Sequence, residues 1–338
     1  MSKLKNDIVL TSRVRLARNY FDLPFSNATH PENAQLCITR AKEAFEEMSP
    51  PDTYKLYSLS TLPENEKTAL MEQHLISRDL LQNSPFSAVL VQNDQRISIM
   101  VNEEDHLRIQ VIQTGLLLSK AVEAAFETEA KLQNVCSFSF DNQLGYLTAC
   151  PTNTGTGMRA SLMLHLPILT RCKQMGNVSQ SVAKLGLTIR GIYGEGSDAQ
   201  GDLYQVSNQV TLGRTEEEII EAVNAVGNQL IDMENGLRQR AAKEALFDLE
   251  DRIFRSYGLL RYARQIRAEE FMEHWSNLRL GVSLKLLPVT FATADTLLTT
   301  AQNAHAALYC DRQSHKLTVN QARAEIIRAA LNPKIQEG

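Results

Sequence analysis

The sequence predicts an α+β fold in which a mixed domain of strands and helices precedes an all-helical domain. Two observations support this prediction. Before Thr215, short runs of strand type are interleaved with amphipathic segments. After Thr215, apolar residues recur at helical spacing almost to the end of the chain. We place the boundary inside the long helix that begins there, which gives domains at 1–230 and 231–338.

Strands are expected where residue character alternates or where a short apolar run lies between turn signals. In "DIVLTSRVRLAR", Ser12 shares one face with apolar residues, and Arg13 and Arg15 share the other. A hairpin is expected around Asn93 and Asp94 in "SAVLVQNDQRISIMVN". The remaining expected strands lie in "YKLYSL", in "QLGYLTACPTNTGTGMRASLMLHLP" on both sides of its polar loop, and on both sides of the Gly-rich loop 194–201.

Helices are expected where apolar residues return every three to four positions. Pro31 suits the first turn of the helix in "PENAQLCITRAKEAFEEM". A second helix is expected over 63–76, and a third in "GLLLSKAVEAAFETEAKL". The long helix after Thr215 opens with a threonine followed by three glutamates, a pattern typical of a helix N-terminus.

Composition excludes several broad classes of protein. Of the 338 residues, 43% are hydrophobic and 22% are charged, which is ordinary for a globular protein. The net charge of −4 gives no overall attraction to nucleic acid or anionic lipid. The five cysteines are scattered and contain no C-x-x-C pair, which favours a reducing cytosol over a disulfide framework or a zinc module. We therefore expect a cytoplasmic protein without a signal peptide or a membrane span.

Five arginines stand beside expected strands or Gly-rich turns and are the first candidates for a binding site. The guanidinium group is planar, always charged, and matches the geometry of phosphate oxygens. A single arginine on a strand is usually a surface residue, but five at element ends indicate a polyanion site. The common nucleotide motifs, the Walker A loop and the protein-kinase Gly-rich loop, do not occur. The arginines are Arg13, Arg15, Arg108, Arg159 and Arg190.

Four motifs in order resemble the signatures of the phosphagen (guanidino) kinase family. They are "SRVRLARN", "VNEEDHLRI", "CPTNTGTGMRAS" and "IRGIYGE". The resemblance spans about residues 8 to 235 and implies an antiparallel sheet flanked by helices. It also implies transfer of the γ-phosphoryl group of ATP to a guanidinium nitrogen, with Mg²⁺ bound to ATP and water and not to protein ligands.

The resemblance assigns candidate roles to individual residues. Glu104, Glu195 and Cys150 match the catalytic residues that orient the guanidinium group. Ser12, Arg13 and Arg15 match the first nucleotide-binding motif, and the remaining nucleotide-binding candidates are His74 near the adenine and Arg108, Arg159 and Arg190 at the phosphates. A helix-face histidine stays open as the alternative for His74, and a buried inert thiol as the alternative for Cys150.

The branch of the family that the chain resembles most is that of the bacterial protein-arginine kinases of the McsB type. An expected helical domain at the C-terminus, and a first motif that begins at Ser12, favour this branch over the metabolite kinases. It implies protein substrates that bear arginine, a zinc-binding activator protein, a Clp-type protease, inactivation of a stress repressor and a homodimer, with no membrane or nucleic-acid partner. A small-molecule guanidino kinase and a weakly catalytic binding adaptor are the alternatives.

One motif of that branch is altered. The branch has an R-D-x-x-R-A signature in its helical domain that binds phosphoarginine, and "VNQARA" stands at the equivalent place. Arg323 and Ala324 match the signature, whereas Val319 and Asn320 replace its first Arg and Asp. We therefore expect weak phosphoarginine binding, or none, at this site.

Overall fold

The structure is a computed structural model that describes residues 7–25, 30–50, 52–82, 86–191, 199–314 and 316–332. Its strands are β1 (Val9–Arg18), β2 (Tyr54–Ser58), β3 (Ala88–Gln92), β4 (Ile97–Val101), β5 (Leu107–Thr114), β6 (Phe140–Asp141), β7 (Gly145–Tyr146), β8 (Met158–His165), β9 (Leu187–Gly191) and β10 (Leu203–Asn208). Its helices are α1 (Pro31–Met48), α2 (Glu64–Glu72), α3 (Arg78–Gln82), α4 (Leu118–Val135), α5 (Pro167–Arg171), α6 (Met175–Ala183), α7 (Glu216–Glu244), α8 (Leu246–Tyr262), α9 (Ala268–Ser283), α10 (Phe291–Thr300), α11 (Asn303–Asp311) and α12 (Val319–Leu331).

Eight strands form one sheet in the order β2-β3-β4-β5-β1-β8-β10-β9. Every neighbouring pair is antiparallel. Strands β6 and β7 form a separate two-stranded ribbon. The fold class predicted from the sequence, an antiparallel sheet flanked by helices and followed by a helical region, is confirmed.

One face of the sheet packs against helices and forms the main core. Val14 and Leu16 of β1 lie fully buried there, together with apolar side chains of α1, α4 and α7. Burying such a side chain contributes roughly 1.5–3 kcal/mol to the stability of the folded state. A shift of one residue in strand pairing would expose these side chains, so the buried face fixes the register of the sheet. The opposite face carries the alternate residues of each strand, and these include the arginines.

Helix α7 connects the sheet to the helical region. Thr215 and Glu218 form a capping box at its start, as the sequence predicts. Val223 and Leu230 belong to the core beneath the sheet, whereas Ala241 packs against a second core formed mainly by α8, α9, α10 and α12. The boundary predicted between residues 230 and 231 falls within this continuous helix and stays a prediction.

Helix α2 is shorter than the sequence predicts. The expected helix over 63–76 ends at Glu72, and His74 follows with a left-handed backbone at a φ of 60°. Leu75 and Ile76 beyond it are buried in a small third core with Val89 and other residues. Their apolar spacing continues the helical pattern, but they are buried as part of a turn and not of a helix.

None of the helices in the described ranges has the length and apolar character that a membrane span requires.

Candidate active site

The arginines predicted from the sequence come together on the open face of the sheet. Arg15 on β1 is the direct partner of Arg159 on β8 and, on its other side, of Gln110 on β5. Direct partners in an antiparallel sheet share a face, and so do residues two apart on one strand. Arg13 and Arg108 therefore lie on this face as well. Arg13, Arg15, Arg108 and Arg159, which are up to 146 positions apart in sequence, thus form one cationic surface, which we call the arginine surface.

Arg190 joins this surface from the edge. It pairs with Gln205 across β9 and β10. Together with Arg159, it lines a cavity of about 230 Å³, which we call the Arg190 cavity; its other lining residues are Thr152, Asn153, Asn208, Gln209 and Thr211. Arg190 itself is exposed, so this end of the surface opens to solvent.

The arginines lie close enough together to perturb one another. Burial, and then the nearby charges of Arg159 and Arg108, lower the pKa of Arg13 to about 10. Burial also lowers the pKa of Arg15, with the neighbouring arginines adding to the effect. Burial and then Arg190 and Arg108 lower the pKa of Arg159. Such a cluster is destabilising by itself and indicates a site for an anion.

Two hydrogen-bond donors on this surface also indicate an anion site. The Nε atoms of Arg15 and Arg159 are buried and have no hydrogen-bond partner among the residues that the structure describes. An unsatisfied buried donor costs about 1–3 kcal/mol, so such donors are rarely left without a purpose. A phosphate chain laid across β1 and β8 would offer acceptors to both groups, so the arginines suit an anion with several oxygen atoms.

The acidic stretch at Glu103, Glu104 and Asp105 forms the tight turn between β4 and β5. Asn102 adopts a left-handed backbone, and its amide group donates to the carbonyl oxygens of Ala34 and Phe86. Glu103 and Asp105 are buried, whereas Glu104 is exposed. The turn therefore presents one carboxylate of the three to solvent.

The two buried acids hold the turn in place. Glu103 accepts a hydrogen bond from Arg108 Nη1 at 2.6 Å and another from the hydroxyl of Ser77. Burial raises the pKa of Glu103, and Arg108 opposes that rise. Arg108 Nη2 also lies 3.3 Å from Glu104 Oε2, so one guanidinium group links the turn to the arginine surface.

Asp105 connects the turn to the loop that carries Cys150. Its Oδ1 atom accepts hydrogen bonds from Asn19 Nδ2 and from the backbone N–H of Ala149, each at 2.7 Å. This contact fastens the backbone just before Cys150 to the acidic turn. The Cys150 thiol is partly exposed and lies 3.0 Å from Thr152 Oγ1. The thiol is therefore not buried, and the alternative of a buried inert cysteine is wrong on that point.

Glycines are required in the loop between Cys150 and β8. Gly155 has a φ of 114°, and an added Cβ would lie 2.5 Å from the carbonyl oxygen of Thr211. Gly157 has a φ of 61°, and an added Cβ would lie 2.7 Å from the carbonyl oxygen of Ala17. The backbone therefore approaches its neighbours too closely for any side chain, which explains the "GTG" of the motif.

His74 lines a second cavity, of about 190 Å³, which we call the His74 cavity. Burial and the charge of Arg13 lower its pKa to about 4, so the imidazole is neutral at pH 7. Gln110 Nε2 donates to the His74 carbonyl oxygen at 2.6 Å and fixes the turn. Because His74 lies in a turn after α2, the alternative of a helix-face histidine is wrong.

The cavity walls are mixed in character, with apolar groups beside a few polar ones, as is typical of small-molecule sites. They comprise Leu10, Thr11, Arg13, Gln73, His74, Ile112, Thr114, Ser161, Met163, Gln205, Asp295, Leu298 and Thr299. Arg13 belongs both to this cavity and to the arginine surface. The two parts of the site are therefore continuous.

Two of the site residues predicted from the sequence are not seen in this arrangement. Ser12 lies on the opposite face of β1, fully buried, where its hydroxyl donates to the carbonyl oxygen of Gly115 and accepts from the N–H of Leu117. Its position directly before Arg13 in sequence places it on the other face of the sheet, because successive residues of a strand point to opposite faces. Glu195 lies outside the described residues.

Several site residues were not predicted from the sequence. Gln205 Oε1 accepts from Arg13 Nη2 at 2.8 Å and orients it. Ser77 supports Glu103, and three residues of α10 line the His74 cavity. Gln205 could have been found from its place on a strand next to the arginines. The α10 residues carry no motif and are brought near only by tertiary packing.

Comparison with known proteins decides the family. Residues 37–237 match the model of the ATP:guanido phosphotransferase C-terminal catalytic domain. The chain belongs to the ATP:guanido phosphotransferase family. Residues 246–337 match a second model, the protein-arginine kinase McsB C-terminal domain. The chain is therefore an enzyme of the phosphotransferase class.

Curated relatives and solved structures agree with this assignment. The chain is 40% identical over 336 residues to a protein-arginine kinase of Caldanaerobacter subterraneus subsp. tengcongensis, covering 99% of this chain and 100% of the relative. It is 42% identical to a protein-arginine kinase of Symbiobacterium thermophilum, covering 96% and 94% of the two chains. The crystal structure of lombricine kinase is similar with a TM-score of 0.59 and 26% identity, over 72% of this chain and 70% of that one.

Proposed function

We propose that this enzyme is an ATP-dependent protein-arginine kinase that transfers the γ-phosphoryl group to arginine side chains of other proteins. The observation that carries the proposal is the pairing of the arginine surface, with its two unsatisfied donors, and the exposed carboxylate of Glu104 at its border. Anionic phosphoryl oxygens suit the first, and a cationic guanidinium group suits the second.

The acceptor side of the reaction needs a carboxylate at a rigid position. Glu104 would accept hydrogen bonds from the incoming guanidinium group, hold its nitrogen in line with the γ-phosphorus, and take up a proton as attack proceeds. Asp105 and Glu103 hold the turn rigid through Ala149 and Arg108. Cys150 and, by resemblance, Glu195 would orient the same acceptor.

The donor side needs fixed cations. As the nitrogen–phosphorus bond forms and the bond to the ADP oxygen breaks, charge spreads over the phosphoryl oxygens. Arg15 and Arg159 would bind those oxygens, with Arg13, Arg108 and Arg190 along the phosphate chain. Mg²⁺ bound to the ATP oxygens and water would neutralise further charge. The neutral imidazole of His74 would contact the adenine base.

The partners that the McsB-type resemblance implies are part of the proposal. They are arginine-bearing protein substrates in the cytosol, a zinc-binding activator, a Clp-type protease, a stress repressor and a second copy of the chain. The match of residues 246–337 to the McsB C-terminal domain supports them.

A paired phosphotransfer assay tests the proposal. The protein and MgATP are given either an unfolded basic protein or free L-arginine, and phosphate on arginine is read by mass spectrometry without acid. We expect label on the protein and not on free arginine. Label on free arginine alone would establish the small-molecule guanidino kinase instead, and label on neither would favour the binding adaptor.

The same assay tests the role of Glu104. Glu104→Gln keeps the shape of the side chain but removes its charge, so we expect turnover to fall by about 100-fold or more while ATP binding survives. Glu123→Gln, at an exposed position of α4, is the matched control and should leave turnover unchanged. Near-normal activity of Glu104→Gln would show that another group accepts the proton.

A further inference from the structure

The His74 cavity has a wall that the catalytic sheet does not supply. Most of its lining comes from β1, β5, β8, β10 and the turn after α2. The remaining side is closed by Asp295, Leu298 and Thr299 of α10, about ninety residues beyond β10 and within the segment that matches the McsB C-terminal domain. The cavity is therefore incomplete without the helical domain.

We propose that the helical domain completes the nucleotide-base site, with Leu298 and Thr299 of α10 contacting the base and Glu72 holding the opposite side in register. This inference rests on the proposed function, which places ATP across the sheet. It adds that the affinity and base specificity of the site depend on residues of the C-terminal domain.

Helix α10 is fixed rigidly enough to act as a wall. The indole Nε1 of Trp275, fully buried on α9, donates to the carbonyl oxygen of Ala294 at 2.7 Å. Arg279 Nε donates to Asp295 Oδ1 at 2.8 Å, and another nitrogen of Arg279 donates to the carbonyl oxygen of Asp7 just before β1. The wall and the first strand of the site are thus joined through one buried arginine.

Glu72 fastens the other side of the cavity to the same domain. Its carboxylate accepts hydrogen bonds from the backbone N–H groups of Ala304 and His305 at 2.8 and 3.1 Å, and lies 2.7 Å from His305 Nδ1. These groups are the first turn of α11, where a carboxylate is favoured by the exposed N–H groups and the helix dipole. Glu72 ends α2, two residues before His74, so α11 positions the turn that carries the imidazole.

A consequence is linkage between the nucleotide and the helical domain. A base that contacts both the sheet and α10 binds more tightly when the helical domain is docked, and it must stabilise that docking by the same free energy. Any ligand that shifts α10 or α11 would then change ATP affinity without touching the arginines. Inorganic tripolyphosphate, which has no base, would not be affected.

The decisive test compares MgATP with magnesium tripolyphosphate by calorimetry. Thr299→Phe should fill the cavity and weaken MgATP binding at least tenfold, while tripolyphosphate binding stays unchanged. Thr296→Phe is the matched control, since Thr296 lies three residues earlier on α10 and is exposed; neither affinity should change. Unaltered MgATP affinity in Thr299→Phe, or equal loss of both ligands, would overturn the proposal. Failure of the wild-type chain to bind either ligand would instead overturn the proposed function.

A second measurement needs no variant at the wall. Hydrogen exchange of the Ala304 and His305 amides in the wild-type protein should slow when MgATP is bound and should not slow with tripolyphosphate.

The kinetics of a Glu72 variant test the same coupling from the other side of the cavity. Glu72→Gln should raise the KM for ATP several-fold with little change in kcat, because it loosens the turn at His74 and leaves the arginines in place. Exchange that is insensitive to MgATP, or a loss confined to kcat, would contradict the coupling.

Discussion

At the scale of single residues, the site works by setting side chains of opposite charge at fixed positions on one sheet face. Arg108 shows how this is done. One guanidinium group binds buried Glu103 and reaches exposed Glu104, so it links the arginine surface directly to the carboxylate that we propose orients the guanidinium substrate. Rigid positions matter because phosphoryl transfer depends on alignment more than on covalent chemistry.

Arg159 gives the sharpest test of the anion-binding surface. Arg159→Ala removes a charge and an unsatisfied donor, so we expect kcat/KM for ATP to fall roughly 10- to 100-fold, corresponding to about 1.5–3 kcal/mol for hydrogen bonds to a charged group. Arg255→Ala, whose guanidinium group is exposed on α8, is the control and should have no effect. Steady-state kinetics measure both, and unaltered kinetics in Arg159→Ala would remove it from the phosphate site.

His74 predicts how stability depends on pH. Its folded pKa of about 4 lies below the ordinary value of 6.5, mainly because of burial and then because of Arg13. The unfolded state therefore takes up a proton first, and the contribution of the neutral imidazole is fully present above about pH 6.5 and is lost as pH falls toward 4.

The comparison of wild type with His74→Asn measures this effect. The difference in free energy of unfolding should be constant between pH 7 and 8 and should move by roughly 1–3 kcal/mol in favour of the variant between pH 6.5 and 4. Denaturant melts across this range give the values. A difference that does not change with pH would mean that the imidazole titrates normally and is not buried.

At the scale of secondary-structure elements, the sequence predicts best what depends on local pattern. The alternation in β1 separates Arg13 and Arg15 from the buried face, and the capping box at Thr215 marks the start of α7. The end of α2 was mispredicted because Leu75 and Ile76 keep a helical spacing while they serve a separate core. The α10 wall could not be predicted, since no local pattern encodes an approach between elements far apart in sequence.

The altered motif at the start of α12 is also explained at this scale. Arg323 is fully buried, and its guanidinium group donates to the carbonyl oxygens of Ala301 and Ile266 and to the side-chain oxygens of Asn320 and Asn303. Its donors are thus used by neutral acceptors that hold α12 to the loops before α9 and α11. The residue that matches the phosphoarginine signature has a structural task in this chain.

Titration with free phosphoarginine tests this interpretation. We expect no binding at the α12 motif, because Val319 and Asn320 supply no charge and Arg323 is occupied. Arg323→Ala should instead lower the free energy of unfolding by about 3 kcal/mol or more, since it leaves buried carbonyl oxygens without donors. Calorimetry and thermal melts give the two results. Tight binding that is abolished in Arg323→Ala would show that the site is functional despite its altered sequence.

At the scale of the whole molecule, α7 ties the sheet to the helical region through a buried ion pair. Glu234 is fully buried and accepts from the N–H groups of Ile168 and Leu169 and from Arg238 Nε at 2.8 Å. Arg238 in turn donates to the carbonyl oxygen of His165 and to the hydroxyl of Ser283 on α9. The pair therefore joins the end of β8, the start of α5 and the helical core.

Removing one partner of this pair tests whether the two regions unfold together. Glu234→Ala leaves Arg238 buried without its anion, which typically costs 3–5 kcal/mol, so we expect one cooperative transition at a clearly lower Tm. Glu221→Ala, exposed on the same helix, should change the free energy of unfolding by less than about 0.5 kcal/mol. Calorimetric and spectroscopic melts must coincide if the chain unfolds as one unit. Two separated transitions in Glu234→Ala would mean that the sheet keeps its fold without the helical region.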